Sequence, residues 1–211
     1  MADLQALANA VISGNHTKAV ELTKQALAEK VSPEQILQKG LVAGMDVVGQ
    51  KFKCNEFYVP EVLIAARAMK MAMEVLQPAL VASGVKPLAT AVLGTVKGDL
   101  HDIGKNLVVM MLRGAGFNVV DLGVDVDPAK FIQAAKDNHA AVIGLSALLT
   151  TTMPMMESVV AEVKKARVPG LKVMIGGAPV TQDYATKIGA DGYAPDAASA
   201  VDTARTLIKV A

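Results

Sequence analysis

The chain has 211 residues, 52% of them hydrophobic, so a folded core is expected, in one large domain or two small ones. Lys and Arg number 21 against 20 Asp and Glu, aromatics are 3% and Trp is absent, which leaves nucleic-acid binding and aromatic stacking of a ligand without support. A single cysteine (Cys54) excludes an intrachain disulfide, the opening Met1-Ala2-Asp3-Leu4-Gln5 lacks the marks of a signal peptide, and apolar runs are too short for a membrane span, so a cytoplasmic protein is expected.

Residues 1–83 read as helix throughout. Leu4, Leu7, Ala8 and Val11 recur at helical spacing, and so do Leu37, Leu41, Gly44, Met45 and Val48. Ser32-Pro33-Glu34-Gln35 is a helix start, with Ser as N-cap, Pro at the first position and Gln completing a capping box. Val62, Ala66, Met69, Met73 and Leu76 form the stripe of a further helix, in which Met69, Met71 and Met73 read as packing residues. Four helices with short connections predict an antiparallel four-helix bundle. The pattern changes at Ser83-Gly84-Val85-Lys86-Pro87, so residues 1–83 are expected to form one domain, 84–90 a linker and 91–211 a second domain.

Strands are expected at 89–96, 117–122, 141–147, 171–176 and 190–194, and helices at 104–114, 127–138, 152–167, 181–188 and 197–209. Short apolar strands alternating with helices predict an α/β domain with a doubly wound, five-stranded parallel sheet. In the flavodoxin-like order 2-1-3-4-5, a ligand crevice opens beyond the first and third strands. Two segments fall there. One is Gly98-Asp99-Leu100-His101-Asp102-Ile103-Gly104-Lys105-Asn106; the other is Ser146-Ala147-Leu148-Leu149-Thr150-Thr151-Thr152.

A neutral imidazole at His101 can coordinate a metal, and Asp99, two residues earlier, is placed to hold its other ring nitrogen and set the tautomer. Gly98 and Gly104 leave room for a bulky group against the backbone. Plainer readings exist. Asp99 and Asp102 are also suitable N-terminal acids for the following helix, Thr150–Thr152 an N-cap cluster, and Gly176-Gly177 a tight turn. His16 and His139 read as surface residues, and Cys54 as an inert thiol.

Asp99-x-His101-x-x-Gly104, followed by Ser146-x-Leu148 and Gly176-Gly177, resembles the three-part signature of cobalamin-binding domains of the methionine synthase type. Phe57-Tyr58-Val59-Pro60-Glu61-Val62 resembles the helical cap that accompanies such domains, so the likeness covers nearly the whole chain. A cap joined to one Rossmann-like cobalamin domain is similar to the small corrinoid proteins of anaerobic methyltransferase systems, which serve methylamines, methanol or methoxylated aromatics. The resemblance implies a cobalamin or related corrinoid with His101 as lower ligand of cobalt, the cofactor's own benzimidazole being displaced (base-off, His-on). Asp99 would accept from His101, and Thr152 would extend the relay towards solvent. Gly98, Leu100, Asp102 and Gly104 would lie in the cofactor-binding turn. Ser146, Leu148 and Thr150 would contact the nucleotide tail or the corrin, Gly176 and Gly177 would line the slot for the tail, and Ala197 would touch the corrin rim. Tyr58, Val59 and Val62 would shield the upper face.

The resemblance also implies a methyl carrier in one-carbon metabolism. Such a carrier works between a donor-specific methyltransferase and an acceptor methyltransferase, with a reductive activase, and is not a complete enzyme alone. The alternative is the small subunit of an adenosylcobalamin-dependent mutase, which shares the Asp-x-His-x-x-Gly turn but lacks the helical cap. A cobalamin-based sensor would need an output domain. A receiver-like signalling domain would need an acidic pocket, which Thr95-Val96-Lys97 and Leu145-Ser146-Ala147 do not supply.

Overall fold

The computed structural model describes residues 3–209. They fall into two compact units, one comprising residues up to Pro87 with Arg113–Gly116, the other Leu88–Leu112 with the residues from Phe117 onward.

The first unit is helical: α1 (Leu4–Ile12), α2 (His16–Ala28), α3 (Pro33–Gln35), a π-helical stretch (Ile36–Val42), α4 (Ala43–Lys53) and α5 (Val59–Ala82). From α3 to α4 the backbone stays right-handed helical, so these pieces run on as one rod and four helices result. Their starts are capped as side-chain chemistry predicts. Asp3 Oδ1 accepts from Ala6 N at 2.9 Å, Asn15 Oδ1 from Lys18 N at 3.0 Å, and Ser32 Oγ from Gln35 N at 3.2 Å. Gly40 and Gly44 let the rod approach α1 closely: a Cβ on Gly40 would stand 2.6 Å from Leu7 Cδ2, and one on Gly44 2.9 Å from the carbonyl oxygen of Ala8. α5 turns Val62, Ala65, Ala66, Met69, Ala72 and Leu76 inward. Gly84, at φ +71°, ends it, with Val85 N donating to Leu80 O at 3.1 Å in a Schellman arrangement.

The second unit alternates β1 (Thr90–Thr95), α6 (Ile103–Gly114), β2 (Asn118–Asp121), α7 (Pro128–Asp137), β3 (Val142–Ser146), α8 (Met153–Ala166), β4 (Lys172–Gly176), α9 (Gln182–Ile188), β5 (Gly192–Ala194) and α10 (Ala197–Lys209). All strand pairs are parallel, in the order β2-β1-β3-β4-β5. A four-helix unit and a flavodoxin-like five-stranded parallel sheet make up the fold class that the sequence pattern predicts. The strands are apolar on both faces because helices cover both; Val92, Phe131, Ile143, Met156, Val159 and Ile175 are buried together in one core. Thr95, Ser146, Gly176 and Ala194 pair in register across four strands, so the sheet ends in one common rung. The strand order reverses between β1 and β3, and loops leaving that rung form the crevice.

Candidate functional site

The loop after β1 is fixed at both ends. Thr95, fully buried, donates its hydroxyl to the His101 carbonyl at 2.8 Å. Asp99 N donates to Val96 O at 3.1 Å, closing a tight turn in which Gly98 takes φ +80°, a conformation that favours glycine.

Asp99 is 0% exposed and is the hub of the site. Its Oδ1 accepts from the His101 backbone N–H at 3.1 Å and lies 2.9 Å from His101 Nδ1. Its Oδ2 accepts from the backbone N–H of Leu148 at 2.8 Å and of Leu149 at 3.3 Å. Thr152 Oγ1 stands 2.8 Å from Oδ2 and 2.9 Å from the Leu149 carbonyl; it has one proton, and the charged oxygen is the stronger acceptor. Burial pushes the Asp99 carboxyl up. Hydrogen bonds from Leu148 N, His101 N, the Thr152 hydroxyl and the His101 ring together outweigh burial and hold it well below the usual carboxylate range.

An ionised Asp99 only accepts, so the His101 ring proton sits on Nδ1 and the Nε2 lone pair is left available. The imidazole is 52% exposed. The two loops that meet at Asp99 also carry large apolar side chains exposed to solvent: Leu100 at 72%, Ile103 at 81%, and Leu148 and Leu149 at 42% each. Among the described residues no group of three or more His, Cys, Asp or Glu is placed to hold a metal ion. His101 therefore offers one nitrogen donor on a pair of loops that also expose apolar side chains. That donor set does not suit a bare cation. It suits a metal that arrives with its equatorial ligands already supplied by a flat apolar ring, which is how a corrinoid carries cobalt.

The other expected site residues are distributed as follows. Gly98, Leu100, Asp102 and Gly104 share the His101 loop, and a Cβ on Gly104 would meet nothing within 4 Å, so the backbone is open there. Asp102 precedes α6 as a cap: its Oδ2 accepts from Asn106 Nδ2 at 2.9 Å and its carbonyl from Asn106 N at 2.7 Å. Ser146 is half-buried on the terminal rung and Thr150 is exposed. Gly176 and Gly177 sit where backbones nearly touch. A Cβ on Gly176 would lie 2.9 Å from Ala194 O, and one on Gly177, at φ +138°, would overlap the Ala147 carbonyl.

Two of the expected site residues are buried in this structure. Ala197 lies at the start of α10, behind an Asp196 cap whose Oδ1 accepts from Ala198 N and Ser199 N at 2.9 and 2.8 Å. Val62 is 0% exposed because it lies on the inward stripe of α5; Tyr58 and Val59, one turn earlier, remain exposed.

Sequence reasoning passed over two features. Lys105 is buried, and its ammonium donates to both Asp121 oxygens at 2.6 and 2.7 Å and to Asn106 Oδ1 at 2.7 Å, tying β2 to the start of α6. A signal existed: Lys105 shares the inward face of α6 with Val109 and Leu112 at i+4 and i+7. Asp125 also contacts the loop, through the Gly98 amide at 2.8 Å, and nothing local marks it.

Comparison with known proteins agrees with this geometry. A B12 binding domain family model matches residues 89–202, and a second B12 binding domain model matches residues 3–77. The chain belongs to the B12-binding family and, within it, to the corrinoid proteins. It is 46% identical to Dimethylamine corrinoid protein 3 of Methanosarcina acetivorans over 99% of this chain and 100% of that protein. It is 42% identical to Trimethylamine corrinoid protein 1 of the same organism, over 95% and 94% respectively. Among solved structures, the methanol:cobalamin methyltransferase complex MtaBC from Methanosarcina barkeri matches with TM-score 0.86 and 30% identity over 99% of this chain and 80% of that one. A cobalamin-binding protein from Desulfitobacterium hafniense matches with TM-score 0.82 and 31% identity over 98% and 99%. The matches run through the helical unit, the part that the alternative mutase subunit lacks.

Proposed function

We propose that this chain carries a methyl group on a corrinoid held at the loop after β1, with His101 Nε2 as the lower ligand of cobalt. The observation that carries this reading is the pairing of a buried, ionised Asp99 with a half-exposed imidazole on loops that also expose large apolar side chains. When bound, the corrinoid supplies a cobalt nucleophile that takes up a methyl group and yields it to an acceptor.

The chain's own residues do the rest. Leu100, Ile103, Leu148 and Leu149 offer apolar surface to the ring. Asp99 orients the imidazole through Nδ1–H, and Thr152 with the Leu148 and Leu149 amides keeps Asp99 ionised. Asp99 receives five donors, which fixes its carboxylate and through it the imidazole. Glycine at 176 and 177 would leave the backbone beyond β4 free of side chains where the displaced nucleotide tail would lie.

The names of the relatives above 40% identity support a methylated amine as donor. Three partners follow from this role: a methyltransferase specific for the donor, a second specific for the acceptor, and a reductive activase that restores the carrier after oxidation. The test is reconstitution of purified, 15N-histidine-labelled protein with hydroxocobalamin, one-electron reduction to Co(II) with a chemical reductant, and visible and electron paramagnetic resonance spectra. Wild type is expected to show an imidazole nitrogen coupled to Co(II), and His101→Ala to retain corrinoid without that coupling. Corrinoid uptake with identical spectra in both proteins refutes axial ligation by His101.

A further inference from the structure

We propose that Asp125 is a positioning residue for the His101 imidazole, acting through the backbone of Gly98 and Asp99; this rests on His101 being the axial ligand. Asp125 follows β2 and takes φ +53°, a left-handed conformation uncommon for a residue with a side chain. Two hydrogen bonds use that conformation. Asp125 Oδ1 accepts from Gly98 N at 2.8 Å, and Asp125 N donates to the Asp99 carbonyl at 3.0 Å. The flanking chain holds Asp125 against the loop. Thr95 N donates to Gly123 O and Val126 N to Thr95 O, each at 3.0 Å, Val96 pairs with Val126, and Lys97 Nζ meets Asp127 Oδ1 at 2.6 Å.

β1 lies between β2 and β3 in the sheet. Asp99 is consequently gripped from two neighbours. The segment after β3 holds its carboxylate through Leu148, Leu149 and Thr152, and the segment after β2 holds its main chain through Asp125. The 2.9 Å contact from Asp99 Oδ1 to His101 Nδ1 tolerates little displacement of that main chain. If Asp125 releases Gly98 and Asp99, the imidazole loses its fixed orientation while the fold survives, because the clasp is at the rim of the sheet and not in its core.

An ordinary turn residue would occupy the same left-handed position, since Asp and Asn are favoured there. Two variants separate the roles. Asp125→Gly relaxes the backbone and deletes the acceptor; Asp125→Asn keeps both the conformation and an amide oxygen for Gly98. In corrinoid-free protein, the Nδ1–H proton resonance of His101 is expected downfield in wild type and D125N, and broadened or lost in D125G. In cobalamin-loaded protein, the histidine-ligated fraction is expected to fall several-fold in D125G and to be retained in D125N, with thermal midpoints close to wild type. D125G matching wild type in both measurements overturns the proposal. Wild type without histidine ligation overturns the axial reading instead, and the corrinoid-free resonance then still decides whether Asp125 orients the imidazole.

Discussion

Replacing Thr152 by valine removes one hydroxyl from the shell around Asp99 and leaves the side-chain shape nearly unchanged. Thr152 and Asp99 are both buried, and the Oγ1–Oδ2 distance is 2.8 Å. A hydrogen bond to a charged partner contributes about 1.5–3 kcal/mol. Leu148 N and Leu149 N still serve Oδ2, so the lower end, about 1.5 kcal/mol, is expected. For a chain of this size that corresponds to a fall in Tm of about 3–6 °C. The pH dependence has a definite sign. Folding depresses the Asp99 pKa below its ordinary 3.8, so its stabilisation is complete above that value and is lost as pH falls from there towards the folded value. T152V raises the folded pKa, so the gap between variant and wild type is widest near neutral pH and narrows in acid. Urea unfolding monitored by circular dichroism, near neutral pH and below about 3.8, measures both quantities. Equal stability at neutral pH, or a loss that persists undiminished at a pH low enough to protonate Asp99 in the folded variant, refutes the claim that the hydroxyl acts on an ionised Asp99.

Asp99→Asn keeps the size but turns an all-acceptor group into one that must point an NH2 at a donor. It is expected to cost about 3 kcal/mol at neutral pH, more than T152V, and to show a flatter stability curve below 3.8 in the same urea assay. Gly177→Ala places a methyl group on the Ala147 carbonyl at a positive φ. Loss of at least about 2 kcal/mol is expected, with weakened corrinoid uptake read by absorption after reconstitution. A stable G177A protein that loads normally would show that neither the fold nor corrinoid uptake needs the close approach of Gly177 to the Ala147 carbonyl.

Local regularities made the architecture readable in advance. Helical spacing before residue 83 and the strand–helix alternation after 89 each report which residues must be buried, and burial decides both period and fold class. Most strand and helix limits differ from the expected ones by one or two residues, because ends are set by local backbone hydrogen bonding and not by apolar pattern. Asp99 and His101 are two apart, so their pairing is a short-range matter that a sequence displays directly. Thr152 on its own looks like a helix cap; only its 53-residue return to Asp99 makes it part of the site.

The sequence by itself determined the helical cap, the parallel sheet, the end of the sheet at which the loops converge, and the His101–Asp99 pair, since each depends on period, spacing or near neighbours. The tertiary structure alone decided what surrounds that pair. It brought the Leu148 and Thr152 donors and the Asp125 clasp from 49, 53 and 27 residues away. It turned Val62 and Ala197 inward and buried Lys105 beside Asp121. Those outcomes depend on which strands become neighbours and which face of each helix meets the core, and neither is encoded within any one segment.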